Sequence, residues 1–431
     1  MRGARARIIR TLARLRLGRR KSSGDTDALL SMLPDSALVP LQRDGLDPVA
    51  ELGRRRAAEP VSRMKLPFGL RAWLVTGYEE TRAVLAAGSS FSNDFTNLIG
   101  TVGITAEQNP GGLGFTDPPD HTRLRKLLTP EFTGHRLRRL GPRIEAIVDG
   151  QLDEMAAAAA AGRPVDLVQS FALPIPSLTI CELLGVPYSD RAEFQRLSTT
   201  RFDLLGGVNG SLGAISESME YLLQIVQKQR VEPGDGLLGR LVREHGDDIS
   251  DHELAGLADG LLTGGLETTA SMLALGTIVL LRHPESRDAI RDRDDAVDPF
   301  VDELLRYLTV VQVAFPRFAR ERVRIGDRTI EEGDIVLCSL SGANRDGADG
   351  ELERFDPARA ARPHLAFGHG LHRCIGAELA RMELRAAYPA LVRRFPGIRL
   401  GTDTSQLSFR KLSFVFGVDA LPVELTEDAR A

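Results

Sequence analysis

Between Ser250 and Arg282 the sequence reads as one continuous helix, and this stretch constrains the fold more than any other. Ser250 followed by Glu253 has the spacing of a capping box, and His283-Pro284 ends the run. At about 1.5 Å per residue such a helix is about 50 Å long, enough to cross a whole domain. Leu254, Leu257, Leu261, Leu262, Leu266, Leu273, Leu275 and Ile278 fall on several of its faces, so it is expected to be buried at the centre of the fold. Its middle breaks the local rules. Gly264 and Gly265 each cost about 1 kcal/mol relative to alanine, and Glu267, Thr268 and Thr269 place an acid and two hydroxyls where apolar residues belong. Violations of this kind mark functional sites more often than structural ones.

Around this helix the pattern is mainly α with small β-sheets. Helices are expected over Tyr78–Ala87, from His121, from Leu140 to Ala161, over Phe300–Tyr307, and from near Cys374 to Phe395. Short strands are expected at Ala72–Thr76, Val323–Ile325, Thr329–Ile330 and Ile335–Cys338. The long stretch from Phe91 to Pro119 is rich in Gly, Asn and Pro and reads as a functional loop. The 431 residues would allow roughly two or three domains of about 150. The candidate site residues are spread along the chain but must converge, which favours a single domain over 41–431. Residues 1–40 are expected to be a separate basic extension. Met1–Lys21 holds nine basic residues and no acidic one, and its arginines interrupt any apolar core that a signal peptide needs. A disordered tail or a helix touching a membrane surface both fit it. A net charge of −4 argues against nucleic-acid binding. Three cysteines make neither a disulfide framework nor a zinc site, which fits a cytoplasmic protein.

One cysteine stands apart. Residues 367–376 read Phe-Gly-His-Gly-Leu-His-Arg-Cys-Ile-Gly. The glycines allow tight turns and the close approach of a flat group. Cys374 is expected at a helix start, where the dipole lowers a thiol's pKa and stabilises thiolate. A buried, inert cysteine is the usual alternative. The loop resembles the haem-binding signature of the cytochrome P450 family, Phe-x-x-Gly-x-His/Arg-x-Cys-x-Gly. The resemblance runs from about Asp47 to Leu425. Glu303-Leu-Leu-Arg306 is similar to that family's Glu-x-x-Arg motif, completed by Arg359, and implies a structural ion-pair network. Gly264-Gly265-Leu266-Glu267-Thr268 resembles its oxygen-activation motif. Asn344-Arg-Asp-Gly347 departs from the family's usual Asn-Arg-Asp-Pro.

The resemblance implies a single-domain cytochrome P450 fold holding haem b. Cys374 would be the iron ligand, with Phe367, Gly368 and Gly376 shaping its loop and Gly264 and Gly265 lining the opposite face. His121, Arg125, Arg317 and His372 would bind the haem propionates. Thr268 and Glu267 would be catalytic. The Thr268 hydroxyl is expected to back-bond the Gly264 carbonyl and bend the helix. Ile99, Val102, Leu205, Leu261, Val311, Val313 and Phe414 would line an apolar substrate pocket for a fatty acid, terpenoid, steroid or polyketide. Electrons would come from a ferredoxin and an NAD(P)H-dependent reductase, since no flavin module is visible. A peroxide-using peroxygenase, oxidative coupling or desaturation on the same site, and a non-catalytic haem sensor stand as alternatives.

Overall fold

A computed structural model describes residues 34–66, 70–94, 113–186 and 208–425. The predicted central helix is present as Asp251–Arg282, capped by Ser250. The Ser250 hydroxyl accepts from the Glu253 amide, and the Glu253 carboxylate accepts from the Ser250 amide. By length and composition this helix could cross a membrane, but 78% of its most apolar window is buried inside the fold. It is a core helix.

The other main helices, in chain order, are α1 (Ala50–Ala58), α2 (Tyr78–Ala86), α3 (Asp120–Leu128), α4 (Gly141–Ala160), α5 (Pro174–Leu184), α6 (Val208–Val231), α7 (Leu237–His245), then the central helix as α8, α9 (Pro284–Asp292), α10 (Val297–Leu308) and α11 (Ala377–Arg394). Five strands form the larger sheet. β1 (Val61–Lys65) and β2 (Arg71–Val75) make an antiparallel pair, and β3 is Phe91–Ser92. After β4 (Val165–Asp166), which belongs to another sheet, come β5 (Arg317–Ala319), the hairpin β6 (Val323–Ile325) and β7 (Arg328–Ile330), and β8 (Ile335–Cys338). The order is β1-β2-β8-β5-β3, with β8 parallel to β2 in the register Ile335 against Ala72. β9 (Arg399–Leu400), β10 (Pro422–Glu424) and β4 form a small third layer.

The largest core cluster gathers Leu266, Leu273 and Ile278 of α8, Phe300 and Leu304 of α10, and Leu384 and Tyr388 of α11. α8 and α11 cross closely. The Tyr388 hydroxyl donates to the Met272 carbonyl at 2.5 Å, and a Cβ at Gly276 would fall 1.9 Å from that hydroxyl. At this point only glycine fits.

Two expectations are corrected here. The folded domain begins before residue 41. Val39, Pro40 and Leu41 are buried, and Val39 packs with Phe318 and Ile335 against the sheet. The helix after the cysteine loop begins at Ala377 rather than near Cys374, with Gly376 as its N-cap. Residues 1–33, which carry the basic extension, lie outside the described residues. The Gly347 departure has a backbone reason. Its φ is −151°, which a proline ring, locked near −65°, cannot reach.

Candidate active site

The loop before α11 is built by two left-handed glycines, Gly368 at φ +67° and Gly370 at φ +70°. A side chain on Gly370 would strike the Leu85 carbonyl of α2 at 2.3 Å. The Cys374 amide donates to the Phe367 carbonyl at 2.9 Å, which closes the loop. Phe367 is covered by the Arg381 guanidinium, 4.7 Å from the ring centre. Arg381 in turn bonds Asp302 at 2.9 Å. The His364 and Arg381 side chains beside Asp302 hold its carboxyl down at about 2.

Cys374 is exposed, whereas Cys181 and Cys338 are buried. It touches solvent yet is surrounded by protein atoms, as a residue on the wall of an internal cleft would be. Burial pushes its thiol up, against the pull of the Gly376 amide and of Arg373, Arg125 and Arg381. The expected lowering by the helix start is thus corrected. The sulfur precedes the helix by three residues, and in the protein alone desolvation wins.

Four cationic or titratable side chains gather around the cysteine loop, with Arg125 close enough to the thiol to feel its charge. Arg125 Nη2 donates to the Arg373 carbonyl at 2.8 Å. The His121 and His372 rings lie 4.3 Å apart. His372 Nδ1 bonds the Leu113 carbonyl at 3.1 Å. Arg317 is buried, and its guanidinium donates to the Phe315 carbonyl at 3.0 Å. Burial followed by the Arg317 and His121 charges drives His372 down to about 4. Burial and Arg125 lower His121, and burial lowers Arg125 and Arg317. Arg320, the other arginine of that segment, is exposed and pairs with Asp117 at 2.5 Å. Arg123, which lies on α3 between His121 and Arg125, turns away to an ion pair with Glu253.

On α8 the predicted back-bond is present, Thr268 Oγ1 donating to the Gly264 carbonyl at 2.6 Å. Leu261, Gly264 and Thr268 share a face that is open or half-buried, although their neighbours Leu262, Leu266 and Glu267 are buried. A Cβ on Gly264 would meet nothing within 4 Å. Gly265 differs from its expected role. A Cβ there would meet Ile180 of α5 at 2.8 Å, so this glycine permits close helix packing rather than lining the cleft. Thr269 is buried beside Glu383 of α11. Burial pushes the Glu383 carboxyl up to about 8, against the Thr179 and Thr269 hydroxyls. Glu267 is ion-paired with Arg410, a partner that sequence reasoning missed.

The Glu303–Arg306 pair is a two-bond fork at 2.7 and 2.8 Å. Arg359 approaches Glu303 at 3.7 Å, and Glu303 also accepts from the Asp356 amide at 2.9 Å. Of the expected pocket residues, Val311 and Phe414 are half-buried on adjoining segments, tied by the isolated Val311–Val415 bridge. Val313 is buried and bridges to Ser339, so it packs within the fold instead of on a cleft wall. Ile99, Val102 and Leu205 lie outside the described residues.

The residues fit a flat iron cofactor with carboxylate arms. Both ring nitrogens of the fully buried His121 lack a hydrogen-bond partner. Buried polar atoms are usually satisfied by protein, water or a bound group, and a carboxylate arm of a cofactor would satisfy these. No carboxylate pairs with Arg317 among the described residues, and an arginine fork suits one. No cluster of three or more His, Cys, Asp or Glu side chains that could hold a bare metal ion exists among the described residues. A single sulfur suits an iron that arrives with its other ligands attached.

Known proteins agree with this class. The cytochrome P450 family model matches residues 227–417. Cytochrome P450 165B3 of Amycolatopsis orientalis is 39% identical, covering 89% of this chain and 97% of its own. The mycinamicin IV hydroxylase/epoxidase of Micromonospora griseorubida is 40% identical, over 88% of this chain and 96% of its own. The crystal structure of OxyC, a cytochrome P450 implicated in an oxidative C–C coupling reaction during vancomycin biosynthesis, superimposes with a TM-score of 0.79 at 38% identity, over 89% and 96% of the two chains. The chain belongs to the cytochrome P450 family. It is a monooxygenase with a haem-thiolate cofactor, working with redox partners on a small-molecule substrate.

Proposed function

We propose that Cys374 ligates the iron of haem b, that His121, Arg125, Arg317 and His372 bind the propionates, and that Thr268 and Glu267 deliver protons on the oxygen side. The observation that carries this reading is the group of two arginines and two histidines, with His121 and Arg317 buried, gathered beside the loop of an amide-bonded thiol. Haem, when bound, supplies the transfer of electrons to dioxygen and of oxygen to substrate, helped by thiolate donation. The chain supplies the rest. The Gly376 amide tempers the sulfur's charge. The Thr268 hydroxyl holds its proton on the Gly264 carbonyl and can turn it into the open face of α8. Glu267, the adjacent residue, holds or releases a proton at its carboxyl.

The substrate is a hydrophobic small molecule, seated against Leu261, Val311 and Phe414. A screen of fatty acids, terpenoids, steroids and polyketides, scored by the spin-state shift of the Soret band, identifies it. The likeness to the mycinamicin IV hydroxylase/epoxidase supports trying polyketides first in that screen. Electrons come from a ferredoxin and its NAD(P)H-dependent reductase, docking near the exposed Arg373, and the enzyme works in the cytoplasm. Turnover by peroxide alone, with none from ferredoxin and reductase, would overturn this. The likeness to OxyC favours oxidative coupling as a second reading. Labelled dioxygen separates the two, because hydroxylation carries the label into product and coupling does not.

Two expected outcomes follow from the residue roles. Thr268→Ala continues to consume NAD(P)H while product per NAD(P)H falls by about a hundredfold, the low end for a lost acid–base group. Full coupling in that variant would remove the proton-delivery role. His121→Ala loses one charge-assisted hydrogen bond, worth about 1.5–3 kcal/mol. It therefore releases haem to apomyoglobin roughly ten- to a hundredfold faster, whereas Arg320→Ala, a change at an exposed ion pair, matches the parent. Equal rates in both variants would sink the propionate assignment.

A further inference from the structure

We propose that Arg410 is a positioning residue that sets the charge state of Glu267, and that the hairpin 408–419 is where Glu267 exchanges protons with solvent. This rests on the reading of Glu267 as the proton carrier.

Glu267 is 1% exposed, and its Oε1 is ion-paired with Arg410 Nη1. A buried carboxylate without a partner would be strongly disfavoured. The same guanidinium reaches outward, its Nε bonding Asp419 Oδ1 at 3.1 Å, and Asp419 is 58% exposed. One arginine is thus shared between a buried and a solvent-facing carboxylate. The hairpin is held for this. The Arg410 amide donates to the Gly417 carbonyl at 2.9 Å, Phe409 bridges Val418, and Ser408 Oγ bonds Asp419 at 3.2 Å. Gly417 lets the hairpin lie against α8. A Cβ there would fall 2.8 Å from Ser271 Oγ, one turn beyond Glu267, and 3.2 Å from Arg410 Nη1.

An arginine does not give up its proton. The carboxyls carry the proton, and Arg410 decides how readily. Its charge favours ionised Glu267, and Asp419 weakens that bias by sharing the guanidinium. A proton that solvent delivers to the Glu267 carboxyl beside the hairpin neutralises it and loosens its hold on Arg410, which keeps its own protons. Its release on the Thr268 side restores the pair. Among the described residues, the other titratable groups placed near this part of α8 or on the hairpin are Asp259 two turns earlier, bonded to Ser218 of α6, Glu383 of α11 beside Thr269, and the exposed Lys411 next to Arg410. Of these, only Lys411 is a cation, and it is exposed.

The test uses the haem-loaded enzyme at rest. The protonated-carboxyl infrared band of Glu267 is isolated by difference against Glu267→Gln and titrated with pH. Arg410→Gln moves its midpoint up by about 1–3 pH units, the usual effect of losing an adjacent opposite charge. Asp419→Asn moves it down, and Arg410→Lys stays near the parent. Opposite shifts from two neighbouring substitutions are not what a loss of packing produces. In turnover, the pH profile of product per NAD(P)H shifts with the band. An unmoved midpoint in Arg410→Gln overturns the proposal. If Arg410→Gln fails to fold, the Asp419→Asn shift decides, and no downward shift there overturns it. If the midpoints move as expected but Glu267→Gln couples like the parent, the pair stands and the proton role of Glu267 falls instead.

Discussion

Cys374→Ala folds and takes up haem weakly, its carbon monoxide complex lacks the thiolate-type Soret band, and product formation falls below detection. The reason is the donor set. Cys181 and Cys338 are buried elsewhere, with the Cys338 thiol pushed up to about 12 by burial. Neither can take over. Arg125, Arg317 and the two histidines remain, so the propionate contacts still hold some haem, which separates loss of the ligand from loss of the cofactor. Reduced, carbon monoxide-treated spectra of parent and variant are the measurement. A thiolate-type band that survived in the variant would remove Cys374 from the iron, and with it the whole assignment.

Arg306→Ala is the second large effect, and it acts on stability. The Arg306 and Glu303 side chains are 4% and 10% exposed. Arg306 also donates to the carbonyls of Asn344 and Leu352, each at 2.8 Å, and of Arg354 at 3.2 Å. Removing it leaves a nearly buried carboxylate and three carbonyls without this partner. Breaking a buried pair costs about 3–5 kcal/mol, and urea unfolding of the haem-loaded protein should show a loss of that order. Arg306→Lys rescues little, because an ammonium cannot reproduce the fork. Arg399, paired with Glu424 on the surface, is the control, where substitution costs at most about 1 kcal/mol. Equal losses at the two sites would mean that the Glu303 network does not hold the fold.

The features legible in the sequence were local ones. The capping box at Ser250, the length of α8 and the Thr268 back-bond each depend on residues within one or two turns, so spacing predicted them. The cysteine loop was legible because its glycines and its cysteine are contiguous. What sequence reasoning missed depended on contacts between distant segments. Arg410 looks like any surface arginine until the hairpin folds onto α8. Glu383 sits in a helix otherwise rich in charge and gives no sign that α5 and α8 cover it. β3 and β5 are two and three residues long, too short for alternation to register. Gly265 was assigned to the cleft because pattern cannot say which way a helical glycine faces. Ile180, far back in the chain, decides that.

The contact between Tyr388 and Gly276 has a consequence for spacing. α11 leaves the cysteine loop after three residues, and α8 carries Thr268, so the two halves of the reaction chamber ride on separate rods. Those rods are pinned where the phenol meets the helix backbone. Any slide of one along the other would have to break that pin. The relative placement of sulfur and hydroxyl is thus tied to a contact that involves neither group.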